Sequence, residues 1–210
     1  MMEIPGARNL GVVLLAAGPS SRLGQPKQLV EVDGECLVRR SARLALSLLP
    51  ASVTVVSGCE AERVQAELGG LPVGMVFNRG WANGMGASIN CGVRFMPGDV
   101  DGVLLMVCDQ WRLDDTDLKR LFLQWSTDIS KIYLASWKEG EAYVSGPPVI
   151  FPRKLIPELK CMQENRGARQ LVDRYMDIAE FVEMENAAWD LDRPNDLERV
   201  NPRSGRDPSS

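Results

Sequence analysis

Leu14-Leu15-Ala16-Ala17-Gly18-Pro19-Ser20-Ser21-Arg22-Leu23-Gly24-Gln25-Pro26-Lys27-Gln28-Leu29 is the stretch whose reading decides the fold. The apolar run that leads into it, residues 10–15, reads as a fully buried strand: short, partly β-branched, and ended by small residues and glycine. A loop of Gly, Ser and Pro follows, carrying two cations, Arg22 and Lys27. Glycines let the backbone turn its N–H groups inward with no Cβ in the way, and such a nest of donors suits an anion, above all a phosphate.

Beyond the loop, Val32-Asp33-Gly34 turns the chain into a helix with Leu37, Val38, Ser41, Leu44, Ala45 and Leu48 on one face, ended by Pro50. Residues 53–56 read as a second buried strand. A short helix with Ala61, Val64 and Leu68 inside follows, then a third strand over 73–77. Strand, helix, strand, helix, strand predicts an α/β fold with a parallel sheet. The stretch from Asn78 to Ser88, rich in Gly and Asn, then forms a loop, with a helix predicted over 87–96 and Ser88 in its first turn. The N-terminus of such a helix is either an anion site or merely a capped turn.

Residues 103–107 form the most hydrophobic strand and lead into Asp109, at the carboxyl end of a strand, where open α/β sheets bind ligands. Asp114 is assigned instead to capping a helix over 116–125, with Asp115 and Asp117 favourable to its dipole. Further on, the pattern predicts a strand over 131–137, a polar excursion over 138–143, and a stiff turn at Ser145-Gly146-Pro147-Pro148 into a strand over 149–151. Helices over 153–162 and 167–175 come next, then an edge strand over 178–182. A short strand from Trp189 delivers Asp192 to a turn, and Pro194 starts a last helix. The whole reads as one domain over 1–201, with a polar, disordered tail over 202–210.

Of the 210 residues, 45% are hydrophobic and 25% charged, as in an ordinary soluble domain. A net charge of −4 argues against a nucleic-acid binder, although a small anion can still be held by local cations. Five cysteines with no Cys-x-x-Cys pair read as reduced thiols of a cytoplasmic protein, and no apolar run approaches a membrane span. Histidine is absent. That excludes Ser-His-Asp and Cys-His catalysis and histidine metal sites, leaving carboxylates, Lys, Arg, backbone dipoles and hard metals.

The pattern Leu15-Ala16-Ala17-Gly18-Pro19-Ser20-Ser21-Arg22-Leu23-Gly24-Gln25-Pro26-Lys27-Gln28 resembles the signature of the nucleotidyltransferases. With Asn78, Trp81, Gly84-Met85-Gly86, Ser88, Gly167-Ala168-Arg169 and Asp190-Leu191-Asp192-Arg193-Pro194, the chain resembles the molybdenum cofactor cytidylyltransferase family. The resemblance implies a three-layer α/β/α Rossmann-like nucleotidyltransferase fold, mostly parallel, with a small β excursion in the C-terminal half. It implies transfer of CMP from CTP to molybdopterin. The alternatives are a sister enzyme using another nucleotide or phosphorylated acceptor, and a non-catalytic accessory protein serving an apo molybdenum hydroxylase. Arg22 and Lys27 would be catalytic, and Leu15, Ala16, Ala17, Gly18, Ser20, Ser21, Asn78 and Ser88 would bind the nucleotide. Asp109 and Asp192 would hold Mg²⁺. Three departures, Trp111 for a usual Pro, Pro147 for a His, and Glu164-Asn165 for Gly-Asp, lie on the acceptor side.

Overall fold

Apolar side chains at nearly every position of Leu10–Ala16 (β1) require cover on both faces of that strand. In the computed structural model, which describes residues 8–164 and 166–200, they receive it. Because successive side chains alternate, Leu10, Val12, Leu14 and Ala16 enter one core and Val13 enters another. The chain then makes a small antiparallel hairpin, Glu31–Val32 (β2) and Glu35–Cys36 (β3), before Leu37–Ser47 (α1), Ser52–Ser57 (β4), Ala61–Glu67 (α2) and Gly74–Phe77 (β5). Met85–Phe95 (α3), Gly102–Val107 (β6), Asp115–Thr127 (α4), Ile132–Glu139 (β7) and Ala142–Pro152 (β8) follow. The last described elements are Ile156–Leu159 (α5), Ala168–Arg174 (α6), Ala179–Glu183 (β9) and Pro194–Val200 (α7).

The main sheet has seven strands in the order β5-β4-β1-β6-β8-β7-β9. β8 runs against both of its neighbours, whereas the other pairings are parallel. Helices α1, α2 and α4 cover one face, and α3, α5 and α6 cover the other. This is the three-layer α/β/α, Rossmann-like arrangement. A third cluster, with Leu23, Val30, Leu37, Leu191 and Val200, fastens the loop after β1 to α1 and α7.

Several expectations are corrected. Ser145-Gly146-Pro147-Pro148 is not a turn but part of β8. Leu134 and Ala135 of β7 oppose Val149 and Gly146, so the two prolines have no counterpart there, and a bulge is where a residue without an N–H fits a strand. Their peptide bond is cis. The helix expected over 153–162 reduces to a 3-10 turn and the short α5, because Pro157 suits only a first turn. The strand expected from Trp189 is a single bridge between Gln110 and Asp190. The hairpin of β2 and β3 escaped notice because its strands are too short for any periodicity; Asp33 (φ 53°) and Gly34 (φ 81°) close it. Residues 202–210 lie outside the described residues.

The start of α3 is placed by a close backbone approach. A Cβ on Gly86 would stand 2.0 Å from the Gln163 carbonyl oxygen and 2.5 Å from that of Arg166. Since backbone cannot yield as a side-chain tip does, Gly86→Ala is expected to destabilise the protein by about 1–3 kcal/mol. Gly98→Ala, which meets nothing within 4 Å, should change stability by less than about 0.5 kcal/mol. Urea unfolding of the two variants checks this contrast.

Candidate active site

Chain direction makes the site. From β1 the chain moves outward to β4 and β5, then returns across β1 to place β6 on its other side. The gap between connections that leave in opposite directions is where such sheets bind ligands. There a cleft of about 470 Å³ opens. Of the residues expected to bind nucleotide, Leu15, Ala16, Ala17, Gly18 and Ser88 line it, together with Lys27 and Asp109. Trp81 and Met85 line it as well. Trp81 was not among the expected site residues, although its place in the Asn78–Ser88 motif is a signal for it.

The loop is held by its own side chains. Gln28 is buried and donates from Nε2 to the carbonyls of Ala16 (3.0 Å) and Gly18 (2.6 Å). The Ser20 hydroxyl accepts the Lys27 N–H at 3.0 Å. Thus Ser20 braces the loop, while Ser21 and Arg22 stand exposed on it, away from the cleft lining. Gly18 has open space where a Cβ would be, so the backbone there is approachable. Across the cleft, α3 begins after Gly84 (φ 123°) without a side-chain cap, and its Gly86 N–H donates to the Glu164 carbonyl at 3.1 Å. Asn78 lies behind this helix start rather than in the cleft, donating to the Ser88 hydroxyl at 3.1 Å and accepting the Gly80 N–H at 2.9 Å.

The charged centre joins three distant pieces of chain. Lys27 Nζ donates to Asp109 Oδ2 and, at 3.1 Å, to Asp192 Oδ1. Burial opposes the lysine's charge, but the two carboxylates outweigh it and hold the ammonium well above the usual lysine range. Asp109 is buried and its Oδ1 has no hydrogen-bond partner. The turn leading into α7 does not consume Asp192, because Asp196 accepts the N–H groups of Asp192 (3.1 Å) and Arg193 (2.8 Å). Likewise Asp114 and Asp117 form a reciprocal capping box on α4, the structural role expected of them.

Asp190 was not expected here. Desolvation of its carboxyl, then the charges of Asp109 and Asp192, push it up to about 7 against the pull of Lys27, although the residue as a whole keeps considerable exposure. Cys108 lines the cleft, but burial and then the Asp109 charge push its thiol up to about 12, so it stays protonated and is no nucleophile. All five cysteines are free.

A second, apolar cavity of about 220 Å³ adjoins the first and shares Leu15, Met85 and Val107 with it. It exists because the last β6–β8 pair is Leu105 with Val149. Past that pair, β8 bulges away at Pro147, and Arg169 stands at the cavity's edge, donating to the Ser145 carbonyl at 3.2 Å and hydroxyl at 3.0 Å. Gln110, just after β6, donates to the carbonyls of Pro147 in β8 and Ala187, both at 2.8 Å.

The family model of the MobA-like NTP transferase domain matches residues 12–179. The purine catabolism protein PucB of Bacillus subtilis is 29% identical over 76% of this chain and 78% of its own length. The bifunctional protein GlmU of Streptomyces griseus is 34% identical over 60% of this chain. That match spans only 27% of GlmU's length. Among solved structures, Rv0371c of Mycobacterium tuberculosis superposes with a TM-score of 0.78 at 23% identity, covering 93% of this chain and 98% of that one. A structure of Rv0371c in complex with manganese gives a TM-score of 0.75 at 20% identity, covering 93% and 99%. Among the described residues, no helix is long and apolar enough to cross a membrane.

Two outcomes test the site's construction. Gln28→Leu leaves the carbonyls of Ala16 and Gly18 without their donor and is expected to lower stability by about 1–3 kcal/mol in urea unfolding. The raised Lys27 contributes stability that is complete below the unfolded lysine value of about 10.4 and is lost as pH rises through its higher folded value. Between about pH 10.5 and about pH 12 the wild type should therefore lose more stability than Lys27→Met, measured by urea midpoints at each pH.

Proposed function

The chain belongs to the MobA-like NTP transferase domain family, and on that premise we propose that it transfers CMP from CTP to a molybdopterin-type acceptor and releases pyrophosphate. The observation that carries this reading is the Lys27 ammonium held between Asp109 and Asp192 at the cleft between the carboxyl ends of β1 and β6. An acceptor phosphate oxygen forms a bond to the α-phosphorus, and the bond from that phosphorus to the bridging oxygen breaks. The electron pair leaves with pyrophosphate. The nucleophile is already an anion, so no general base is required, in keeping with a chain that has no histidine.

Such transfers need in-line positioning and neutralisation of charge more than covalent help. The backbone of Leu15 to Gly18 holds the base and ribose, and the loop of Ser20, Ser21 and Arg22 holds the phosphates. Lys27 meets the α-phosphate, where charge develops. Ser88 reaches the nucleotide from α3, and Asn78 positions Ser88.

Asp109 and Asp192 fit Mg²⁺. They already bracket a cation, and the unpartnered Oδ1 of Asp109 is a hard oxygen donor with nothing else to bind. Among the described residues no group of three or more His, Cys, Asp and Glu could hold a metal alone. Phosphate oxygens and water would supply the remaining oxygen donors. When bound, the metal neutralises the phosphates and polarises the α-phosphoryl group. The manganese found with Rv0371c supports a divalent ion in this role. The apolar cavity next to the cleft receives the body of the acceptor. Pro147 there, in place of the histidine of many relatives, favours a second reading in which the same chemistry serves a different phosphorylated acceptor. The molybdopterin reading implies delivery to an apo molybdenum hydroxylase.

Pyrophosphate release, measured with each of the four nucleoside triphosphates, Mg²⁺ and molybdopterin, separates these readings. CTP alone is expected to support turnover, and Lys27→Met should lower kcat by about 10²–10³-fold. Preference for another triphosphate moves the assignment to the sister activity. Binding without turnover supports an accessory role, and undiminished turnover in Asp109→Asn contradicts the metal assignment.

A further inference from the structure

Trp111 and Trp189 face each other across the junction between the end of β6 and the approach to α7. The Trp111 N–H donates to the Trp189 carbonyl at 3.2 Å, and the Leu191 N–H donates to the Asp109 carbonyl at 3.0 Å. The two indoles are therefore tied by backbone to Asp109 and lie close in sequence to Asp192, the carboxylates that hold Lys27. Their rings meet edge to face, with centroids 6.0 Å apart and planes at 78°. In the corner sits the guanidinium of Arg112, with Cζ 3.6 Å from the Trp189 centroid and 4.8 Å from that of Trp111. Arg199 approaches the same Trp189 ring at 5.8 Å.

Arg112 is exposed, and among the described residues no carboxylate lies within ion-pair distance of it. Stacking fixes the plane of a guanidinium and leaves its N–H edge free, which is the arrangement for two-point recognition of a phosphate. The neighbourhood also needs such a cation. Asp109 and Asp192 bracket Lys27, and a phosphate arriving beside these two carboxylates meets repulsion unless further positive charge is supplied. Trp111 belongs partly to the cluster with Leu23, so the platform packs beneath the loop that carries Arg22.

We propose that Arg112, seated in the corner of Trp111 and Trp189, is a phosphate-binding residue of this site; the assignment rests on the nucleotidyl-transfer reading of the cleft. Its ligand is a phosphate group at the carboxyl end of β6, belonging either to the terminal phosphates of the triphosphate or to the acceptor. Trp111, which departs from the family's usual proline, is then a positioning residue rather than surface packing.

Calorimetry on the wild type, Arg112→Met, Arg112→Lys and Trp189→Leu tests this with two probes: inorganic pyrophosphate on the free protein, and inorganic phosphate on the protein saturated with CTP. Arg112→Met is expected to weaken one of the two by about tenfold. Arg112→Lys should recover only part of that, since it keeps the charge without the fork. Trp189→Leu should weaken it by about threefold, by unseating a guanidinium that is still present. Loss on the pyrophosphate arm assigns Arg112 to the triphosphate tail, and loss on the phosphate arm assigns it to the acceptor. The proposal is overturned if every variant binds both anions as the wild type does, whether or not its melting temperature falls, or if the wild type binds neither. Failure of CTP to bind the wild type would count against the nucleotidyl-transfer reading instead, and the pyrophosphate arm would still judge Arg112.

Discussion

A single ammonium group, Nζ of Lys27, joins the loop after β1 to Asp109 after β6 and to Asp192 before α7. Each of these is brought within reach by a different part of the fold. Parallel pairing of β1 with β6 sets the loop beside Asp109. The bridge between Gln110 and Asp190, with Asp196 capping the turn, aims Asp192 back at the same point. A buried carboxylate and a largely buried ammonium are tolerable only as partners, because either alone would carry a large desolvation penalty. The pair therefore both fastens the cleft and stores, at the position where a nucleotide's phosphates would arrive, a cation and two anions ready to exchange partners.

The N-terminal half was legible because its physics is local. Buried strands 53–56 and 103–107, and the helix faces built on Leu37 and Val64, follow from periodicity and were found within a residue or two of their bounds. The start of α3 was set two residues late, since Gly84, Met85 and Gly86 look like loop until the backbone of Gln163 is seen packed on Gly86. Beyond β6 the decisive contacts are long-range. Two prolines read as a turn because the β7 strand that accommodates them as a bulge lies elsewhere in the sequence.

The site divides along the same line. The motif residues Leu15 to Gly18, Lys27, Ser88 and Asp109 converge on the cleft, and Asp192 joins them through Lys27. Ser20 and Asn78 have internal partners instead, since a hydroxyl and an amide near a tight loop satisfy the backbone first. Asp190, Gln110 and Gln28 matter through what surrounds them, which no single-residue pattern carries. The apolar cavity behind Pro147 is likewise a product of strand divergence, which no local pattern records.

The most direct test of the central claim is a crystal structure of the protein with CTP and Mn²⁺. The expected result is density for the metal between Asp109 and Asp192, with Lys27 Nζ released from them and placed on the α-phosphate. A nucleotide bound away from the loop after β1, or a Lys27 still bridging both carboxylates with the metal elsewhere, would contradict it.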